Sequence, residues 1–213
     1  MAQELNTDLV SAGSGSSHMS RMTYEEFLEK CDATHAEWVD GEVILMSPPS
    51  TRHQRLVLFL CSLLQLYVEA HELGLVLVGP FQMKLAFRPS GREPDVLFVA
   101  QQRVSLLKKN YLDGPADLAI EVMSPDSHSR DRIEKFAEYE QAGVREYWLL
   151  DPETRRAGFF VLSEAGAYDA KSQNEAVYRS MVLEGLWMKV DWFWQEPLPQ
   201  LMSILKEWGL IKT

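Results

Sequence analysis

The stretch Glu93-Pro94-Asp95-Val96-Leu97-Phe98-Val99 places a carboxylate at the start of an apolar run. A second apolar run, Leu118-Ala119-Ile120-Glu121-Val122, carries a glutamate near its middle. Short runs that are apolar on both faces are typical of strands at the centre of a sheet that is covered on both sides. Side chains alternate along a strand, so Ala119 and Glu121 share one face. The two runs therefore predict a buried sheet that carries carboxylates.

An ionised carboxylate inside such a sheet costs free energy unless a cation compensates its charge. For Glu121 alone, an ion pair with Arg92 or Arg132 would be a sufficient explanation. Two acids on apparently neighbouring strands also fit a shared metal ion, since Mg²⁺ prefers hard oxygen ligands such as carboxylates and waters. Asp95, Glu121 and the backbone carbonyl of Val122 are the candidate ligands, and the ion-pair alternative stays open.

Outward from these runs, helical and strand patterns alternate, which predicts an α/β fold. Thr23 and Glu26 form a capping box before a short helix, and Asp40-Gly41 is typical of a hairpin turn. Further helices are predicted over 53–72, 129–142 and 198–208, a short helical connection over 101–112 and a turn over 88–91. The other strands are predicted over 75–78, 82–87, 94–99, 118–123, 147–150, 159–162, 176–182 and 186–190.

Composition excludes several classes of protein. The 213 residues are 46% hydrophobic and 24% charged, which excludes a disordered chain and a collagen-like fibre. Cys31 and Cys61 form no C-x-x-C pair, which argues against a structural zinc site and a disulfide framework. The apolar stretch 56–68 is shorter than the ~20 residues of a membrane span, and no signal peptide is evident, so we expect a cytoplasmic protein without a membrane partner.

The net charge narrows the possible functions, and the N-terminal segment sets where the folded domain begins. The net charge of −10 argues against a general nucleic-acid coat protein, but it is compatible with an enzyme that gathers carboxylates around a metal ion. Residues 1–21 are predicted to be a flexible arm, because 11–17 have the composition of a linker and His18-Met19 resembles an expression-vector junction. Residues 22–213 are predicted to form a single domain.

Ordered motifs along the chain resemble a known family. Pro94-Asp95 followed by Glu121-Val122 resembles the PD-(D/E)XK nuclease pattern. The wider motifs are Glu37-Trp38-Val39-Asp40-Gly41-Glu42, Ser47-Pro48-Pro49 with His53, Ile120 to Pro125, and Tyr139 to Pro152 with its Gly143 and Glu146-Tyr147-Trp148. In this order they are similar to the Uma family of restriction endonucleases, over about Tyr24 to Trp208.

The resemblance implies a restriction-endonuclease-like core, in which a mixed central sheet is flanked by helices, with an N-terminal helix-hairpin extension. It implies that Asp95 and Glu121 bind Mg²⁺ or Mn²⁺, and that Glu37 contributes a further acid to catalysis. The sequence departs from the pattern at Met123, where the superfamily has a lysine. Lys135, on the next predicted helix, is the nearest substitute for that lysine, and an exposed helix lysine is the alternative.

Three other residues are candidate substrate contacts. His53 is a general base or substrate contact near the metal, or a residue that only hydrogen-bonds locally at a helix N-terminus. Tyr139 shares a helix face with Lys135 and is either functional or part of the core. Arg92 flanks the turn before Asp95, where it can meet a phosphate or remain a solvated charge.

Together these features predict a metal-dependent endonuclease that hydrolyses DNA phosphodiester bonds. A nuclease fold with weak or no cleavage, acting as a binding or assembly module, is the alternative that Met123 favours. A hydrolase of a small phosphoester or nucleotide would use the same residues. The C-terminal part is rich in tryptophan, at Trp187, Trp192, Trp194 and Trp208. Such density is typical of a core or a subunit interface, and we expect a homodimer.

Overall fold

The strands that carry the two carboxylates lie side by side in the computed structural model, which describes residues 21–31, 35–86, 88–123, 129–171 and 176–212. The helices are α1 (Tyr24–Lys30), α2 (Thr51–Ala70), α3 (Ser129–Ala142) and α4 (Leu201–Glu207). The strands are β1 (Ala36–Val39), β2 (Glu42–Leu45), β3 (Gly74–Val78), β4 (Gln82–Leu85), β5 (Ser90–Arg92), β6 (Val96–Ala100), β7 (Tyr111–Asp113), β8 (Leu118–Val122), β9 (Glu146–Asp151), β10 (Arg156–Leu162), β11 (Tyr168–Ala170), β12 (Val177–Arg179) and β13 (Trp187–Lys189).

A six-stranded mixed sheet with the order β11-β10-β9-β8-β6-β3 forms the centre of the fold. Strands β6 and β8 are antiparallel, with Val96 opposite Ile120, while β8 and β9 are parallel. Asp95 immediately precedes β6 and Glu121 immediately follows Ile120. The register therefore brings the Asp95 backbone beside the Glu121–Val122 end of β8.

Helices cover both faces of this sheet, as the buried type of strand requires. Helix α2 begins at the N-cap Ser50, whose hydroxyl accepts a hydrogen bond from the backbone N–H of His53. Its buried leucines, among them Leu56, Leu60 and Leu63, pack in one core cluster with the strands. On the opposite face, Tyr139 of α3 belongs to the second core cluster. The predicted mixed sheet flanked by helices is confirmed.

The N-terminal hairpin is part of a second, five-stranded sheet with the order β2-β1-β5-β4-β7. Its turn at Asp40-Gly41 has positive φ angles of 50° and 91°, which an Asp-Gly pair tolerates. The turn predicted over 88–91 is wrong in its last residues, because Ser90–Arg92 form β5 between β1 and β4. A Cβ at Gly91 would collide with the Gln82 amide and the Tyr24 ring, so close packing explains this glycine.

Two other predicted segments differ from the structure. The connection over 101–112 is a 3₁₀ helix only over Gln101–Leu106, and β7 then pairs in parallel with β4. The strand predicted over 176–182 is shorter, ending at Arg179, because Met181 and Val182 turn to donate their backbone N–H groups to Glu146. In both cases, contacts between segments that are distant in sequence override the local pattern.

The C-terminal tryptophans belong to the core of this chain. Trp192 is buried, and Trp187, Trp194 and Trp208 pack against the cluster that α2 forms with the sheet. This packing explains their density without a subunit interface. Among the described helices, none is long and apolar enough to cross a membrane.

Candidate active site

Asp95 and Glu121 both line one cavity of about 760 Å³. Its polar floor comes from the end of β8, from the segment before β6 and from one side chain of α3, while β1 contributes from the second sheet. The predicted site residues that line it are Glu37, His53, Arg92, Asp95, Glu121, Val122 and Lys135. Met123, which replaces the motif lysine, also lines it.

The Asp95 carboxylate is held by both of its oxygens. Its Oδ2 accepts the backbone N–H of Val122 at 2.7 Å, which ties it to the strand that carries Glu121. Its Oδ1 lies 3.2 Å from Nε2 of His53, a residue that α2 presents from its first turn. Burial lowers the pKa of His53, but the hydrogen bond with Asp95 and the charge of that carboxylate outweigh this effect and raise it.

Glu121 receives two donors from α3. Lys135 Nζ lies 3.0 Å from its Oε1, and the Tyr139 hydroxyl donates to the same oxygen at 2.8 Å. Lys135 and Tyr139 are four residues apart, so a single helix face presents both to the sheet. Burial, reinforced by the charges of Asp95 and Glu37, raises the pKa of Glu121 to about 7 against the opposing charge of Lys135.

A buried ion-pair network lies behind these groups. Glu37 Oε1 is 2.8 Å from Lys135 Nζ, and its Oε2 is 2.7 Å from the Arg92 guanidinium. Arg92 also donates two hydrogen bonds to Glu138, at 2.8 and 2.7 Å. Burial alone would raise the pKa of Glu37, but Lys135 and Arg92 together lower it. The network therefore fixes Lys135 between two carboxylates.

Glu121 forms its ion pair with a lysine of α3, and Arg92 is not its partner. Arg92 serves Glu37 and Glu138, and the cation beside Glu121 is Lys135. The side chain of Arg132 lies outside the described part of the chain. Lys135 is only 7% exposed, so the alternative of a solvated helix lysine is wrong.

Two predicted substrate contacts are buried in this structure. Tyr139 is fully buried and Arg92 is 2% exposed, so both support other side chains of the site. His53 is also largely buried, but its side chain faces the cavity. The local hydrogen bond at the helix N-terminus is present, because the backbone N–H of His53 donates to the Ser50 hydroxyl. The ring lies beside Asp95, and a role as general base or substrate contact stays a prediction.

The sequence analysis missed a polar cluster next to Asp95. Glu93 Oε1 accepts the Gln82 amide at 2.6 Å, and its Oε2 lies 3.1 Å from Nε2 of His35. Burial raises the pKa of Glu93 to about 7. The position of Glu93 two residues before Asp95 could have indicated a place near the site. Its partners could not be predicted, because Gln82 lies in β4 and His35 in the segment before β1. Glu138 was also missed, although its position three residues after Lys135 places it on the same face of α3.

The carboxylate and carbonyl oxygens at the cavity are of the kind that a hard divalent cation prefers. Within the described residues, no three His, Cys, Asp or Glu side chains are grouped so that they hold an ion by themselves. A site here therefore needs the carboxylates of Asp95 and Glu121 together with the Val122 carbonyl and water, the mixture that Mg²⁺ accepts. Burial and the neighbouring carboxylates raise the pKa of Glu121 although Lys135 lies beside it, so a divalent cation there would favour the ionised form.

Comparisons with known proteins agree with the fold and assign the chain to a family. A solved structure described as a putative nuclease belonging to DUF820, from Anabaena variabilis, has the same fold, with a TM-score of 0.68. The match is 16% identical in sequence and covers 80% of this chain and 96% of that chain. No curated protein matches the chain. The family model Uma2, described as "Putative restriction endonuclease", matches residues 24–191, which include both carboxylates and Lys135. With most of its length matched, the chain belongs to the Uma2 family of putative restriction endonucleases.

Proposed function

We propose that the cavity hydrolyses phosphodiester bonds of DNA with the help of a divalent metal ion. The observation that carries this proposal is the meeting of Asp95, Glu121 and Lys135 from three separate elements at one cavity floor. These three groups would supply the two acids and the cation of the nuclease pattern that the sequence resembles. The lysine comes from α3 here, in place of the strand position that Met123 occupies.

Mg²⁺ or Mn²⁺ would be held by Asp95, Glu121 and the carbonyl of Val122. A divalent ion in this position supplies an activated water and stabilises negative charge on the attacked phosphate. Asp95 is prepared for this role because the Val122 N–H already fixes one of its oxygens. Glu121 is prepared because two donors from α3 fix its Oε1.

Lys135 would neutralise the charge that develops on the phosphate during attack. Lys135 lines the cavity, and its ammonium lies 3.0 Å from Oε1 of Glu121, which supports this role. Burial opposes its charged form, yet Glu121 and Glu37 raise its pKa, so it stays protonated. Glu37 and Tyr139 are positioning residues in this proposal, because each holds another side chain of the site.

His53 would contact the substrate phosphate beside Asp95. Its ring faces the cavity, and its Nε2 lies 3.2 Å from Asp95 Oδ1. A protonated imidazole in this place would donate to a phosphate oxygen. Arg92 and Glu138 lie farther back, and they support the arrangement of Glu37.

A cleavage assay tests this function directly. The parent chain, with Mg²⁺ or Mn²⁺, is incubated with plasmid, linear duplex and single-stranded DNA, and fragments are counted on gels. We expect metal-dependent cleavage that Asp95→Asn lowers by at least ~10²-fold, because the ion would lose a ligand. The exposed Asp169→Asn is the matched control and should cleave like the parent.

Two other outcomes would contradict the proposal. A parent that binds DNA but cleaves none of the substrates would be the nuclease-fold binding module that Met123 suggested. A parent that hydrolyses only mononucleotides or small phosphoesters, measured by phosphate release, would move the same site to another substrate class.

A further inference from the structure

The cavity opens to solvent between two apolar lips. One lip is the end of β2, where Ile44 and Leu45 are 36% and 66% exposed. The other lip is the end of β3, where Val78 is 46% exposed, with Pro80 just after the strand. All four side chains line the cavity that has Asp95 and Glu121 at its floor.

The lips belong to the outer strands of two different sheets. Strand β2 ends the five-stranded sheet and β3 ends the six-stranded sheet, as far as the described residues show. Apolar side chains grouped in the open at a concave site usually mark a binding surface for an apolar partner. With the proposed phosphodiester chemistry at the floor, a fitting substrate would combine an apolar part with a phosphate.

The positive charges at the cavity are already committed to carboxylates. Among the described lining residues, the lysine and the arginine are Lys135 and Arg92, and both are paired with Glu37. The two lining histidines, His35 and His53, lie beside the carboxylates of Glu93 and Asp95. Duplex DNA is bound mainly by cations that neutralise its phosphates. The described lips contain no such cations, because their residues are Ile44, Leu45, Val78 and Pro80.

We infer that the cavity accepts an unpaired nucleotide, whose base lies between the two lips while its phosphate reaches the floor, so that the substrate is single-stranded DNA. This inference rests on the proposed function and specifies its substrate. Unpaired bases offer apolar faces that stack on aromatic and apolar side chains. A volume of about 760 Å³ lies in the range of cavities that enclose small ligands, so one nucleotide can enter.

The test compares the binding of two oligonucleotides to the full chain in Mn²⁺. Fluorescence anisotropy measures Kd for a labelled single-stranded oligonucleotide of ~20 nucleotides, longer than the ~4–16 nucleotides of known single-strand sites, and for its duplex. Both carry phosphorothioate linkages that resist hydrolysis. The variant is Leu45→Gln with Val78→Thr. Leu58→Gln is the matched control, because Leu58 is 67% exposed, like Leu45, but lies on α2 outside the cavity lining.

We expect the single strand to bind at least about tenfold more tightly than the duplex. The lip variant should weaken single-strand binding by about tenfold, the effect of losing a contact to one base, while Leu58→Gln should bind like the parent. Equal or tighter duplex binding, or a lip variant that binds the single strand like the parent, would overturn the inference. Cleavage of duplex DNA with either result would leave the proposed function intact. Lip-dependent single-strand binding without any cleavage would instead refute the proposed function.

Discussion

The Lys135 ammonium is the shared counter-charge of two carboxylates, at 2.8 Å from Glu37 Oε1 and 3.0 Å from Glu121 Oε1. Removing one partner of a buried ion pair leaves uncompensated charge and commonly costs about 3 kcal/mol or more. We therefore expect Lys135→Met to lower the free energy of unfolding by about 3 kcal/mol in urea titrations at pH 7. The same change at the exposed Lys206 should leave stability within about 0.5 kcal/mol of the parent. Equal stability of both variants would show that Lys135 is not paired in solution.

Glu121 predicts a pH dependence of stability in metal-free buffer. Its pKa is raised to about 7 by burial, above the value of an unfolded glutamate. The folded state therefore favours the protonated form, and this contribution to stability is present below about pH 4.5 and lost as the pH rises through 7. Glu93, with its pKa raised by burial to about 7, adds to the same loss.

Replacing Glu121 with Gln should remove part of this dependence. Glu121→Gln cannot ionise but can still accept from Tyr139, so its Tm should fall less than that of the parent between pH 5 and 8. The gain at pH 8 should be at most about 3 kcal/mol, because the pKa of Glu121 rises from the ordinary 4.5 to about 7 in the folded state. Thermal melts of the exposed Glu164→Gln variant provide the control. Parallel pH profiles of the Glu121→Gln variant and the parent would contradict the assignment.

At the residue scale, the sequence predicted the centre of the site and missed its rim. Asp95 and Glu121 were visible because a charge inside an apolar strand is conspicuous. Lys135 was found through the absence of a motif lysine at Met123. His35 was missed because it meets Glu93 only through the pairing of segments that are remote in sequence. The catalytic and metal-binding roles remain predictions.

At the element scale, Glu146 of β9 fixes the chain that follows β12. This fully buried carboxylate accepts two side-chain donors at Oε1, the Trp148 indole at 2.7 Å and the Tyr178 hydroxyl at 2.9 Å. Its Oε2 accepts three more donors, namely the Ser180 hydroxyl at 3.0 Å and the backbone N–H groups of Met181 and Val182 at 2.7 and 2.9 Å. The carboxylate therefore holds the C-terminal segment on the central sheet.

Even the isosteric Glu146→Gln variant should be unstable. An amide has one accepting oxygen, so its nitrogen must face donors at one end of the cluster, and unsatisfied buried donors cost about 1–3 kcal/mol each. We expect the free energy of unfolding to fall by about 3 kcal/mol in urea, with Glu164→Gln as the surface control. A parent-like midpoint for Glu146→Gln would mean that these hydrogen bonds are not formed.

Local signals decided how well each element was predicted. The capping box at Thr23 and the Asp40-Gly41 turn gave α1 and the β1–β2 hairpin close to their observed bounds. Strand β5 was missed because Arg88-Pro89-Ser90-Gly91 reads locally as a turn. Its strand conformation depends on β1 and β4, which flank it, and on the ion pairs of Arg92.

At the scale of the whole molecule, the sequence predicted one mixed sheet with an appended hairpin, and the structure has the hairpin inside a second sheet. The second sheet depends on pairings such as β4 with β7 and β1 with β5, which join segments far apart in the chain. Periodicity within a segment carries no information about such partners. The central sheet was better predicted, because its apolar runs require burial wherever they pair.

Homodimer formation stays a prediction, since two-fold dimers are the commonest oligomers. The C-terminal tryptophans no longer support it, because they pack in the core of one chain. Light scattering at micromolar concentration should give about twice the chain mass of 24.4 kDa. The Leu45→Gln variant should have the same mass, because we assign that lip to the substrate. A mass of one chain would contradict the dimer, and loss of the dimer in the variant would contradict the assignment of the lip.

Calorimetric titration with Mn²⁺ tests, without any substrate, whether Asp95 and Glu121 form one divalent metal site. The parent is predicted to bind about one ion per chain, and Asp95→Asn to bind at least tenfold more weakly while melting as a folded protein. Asp169→Asn, with its exposed carboxylate, should titrate like the parent. Identical isotherms for the parent and Asp95→Asn, or no binding by the parent, would contradict the account.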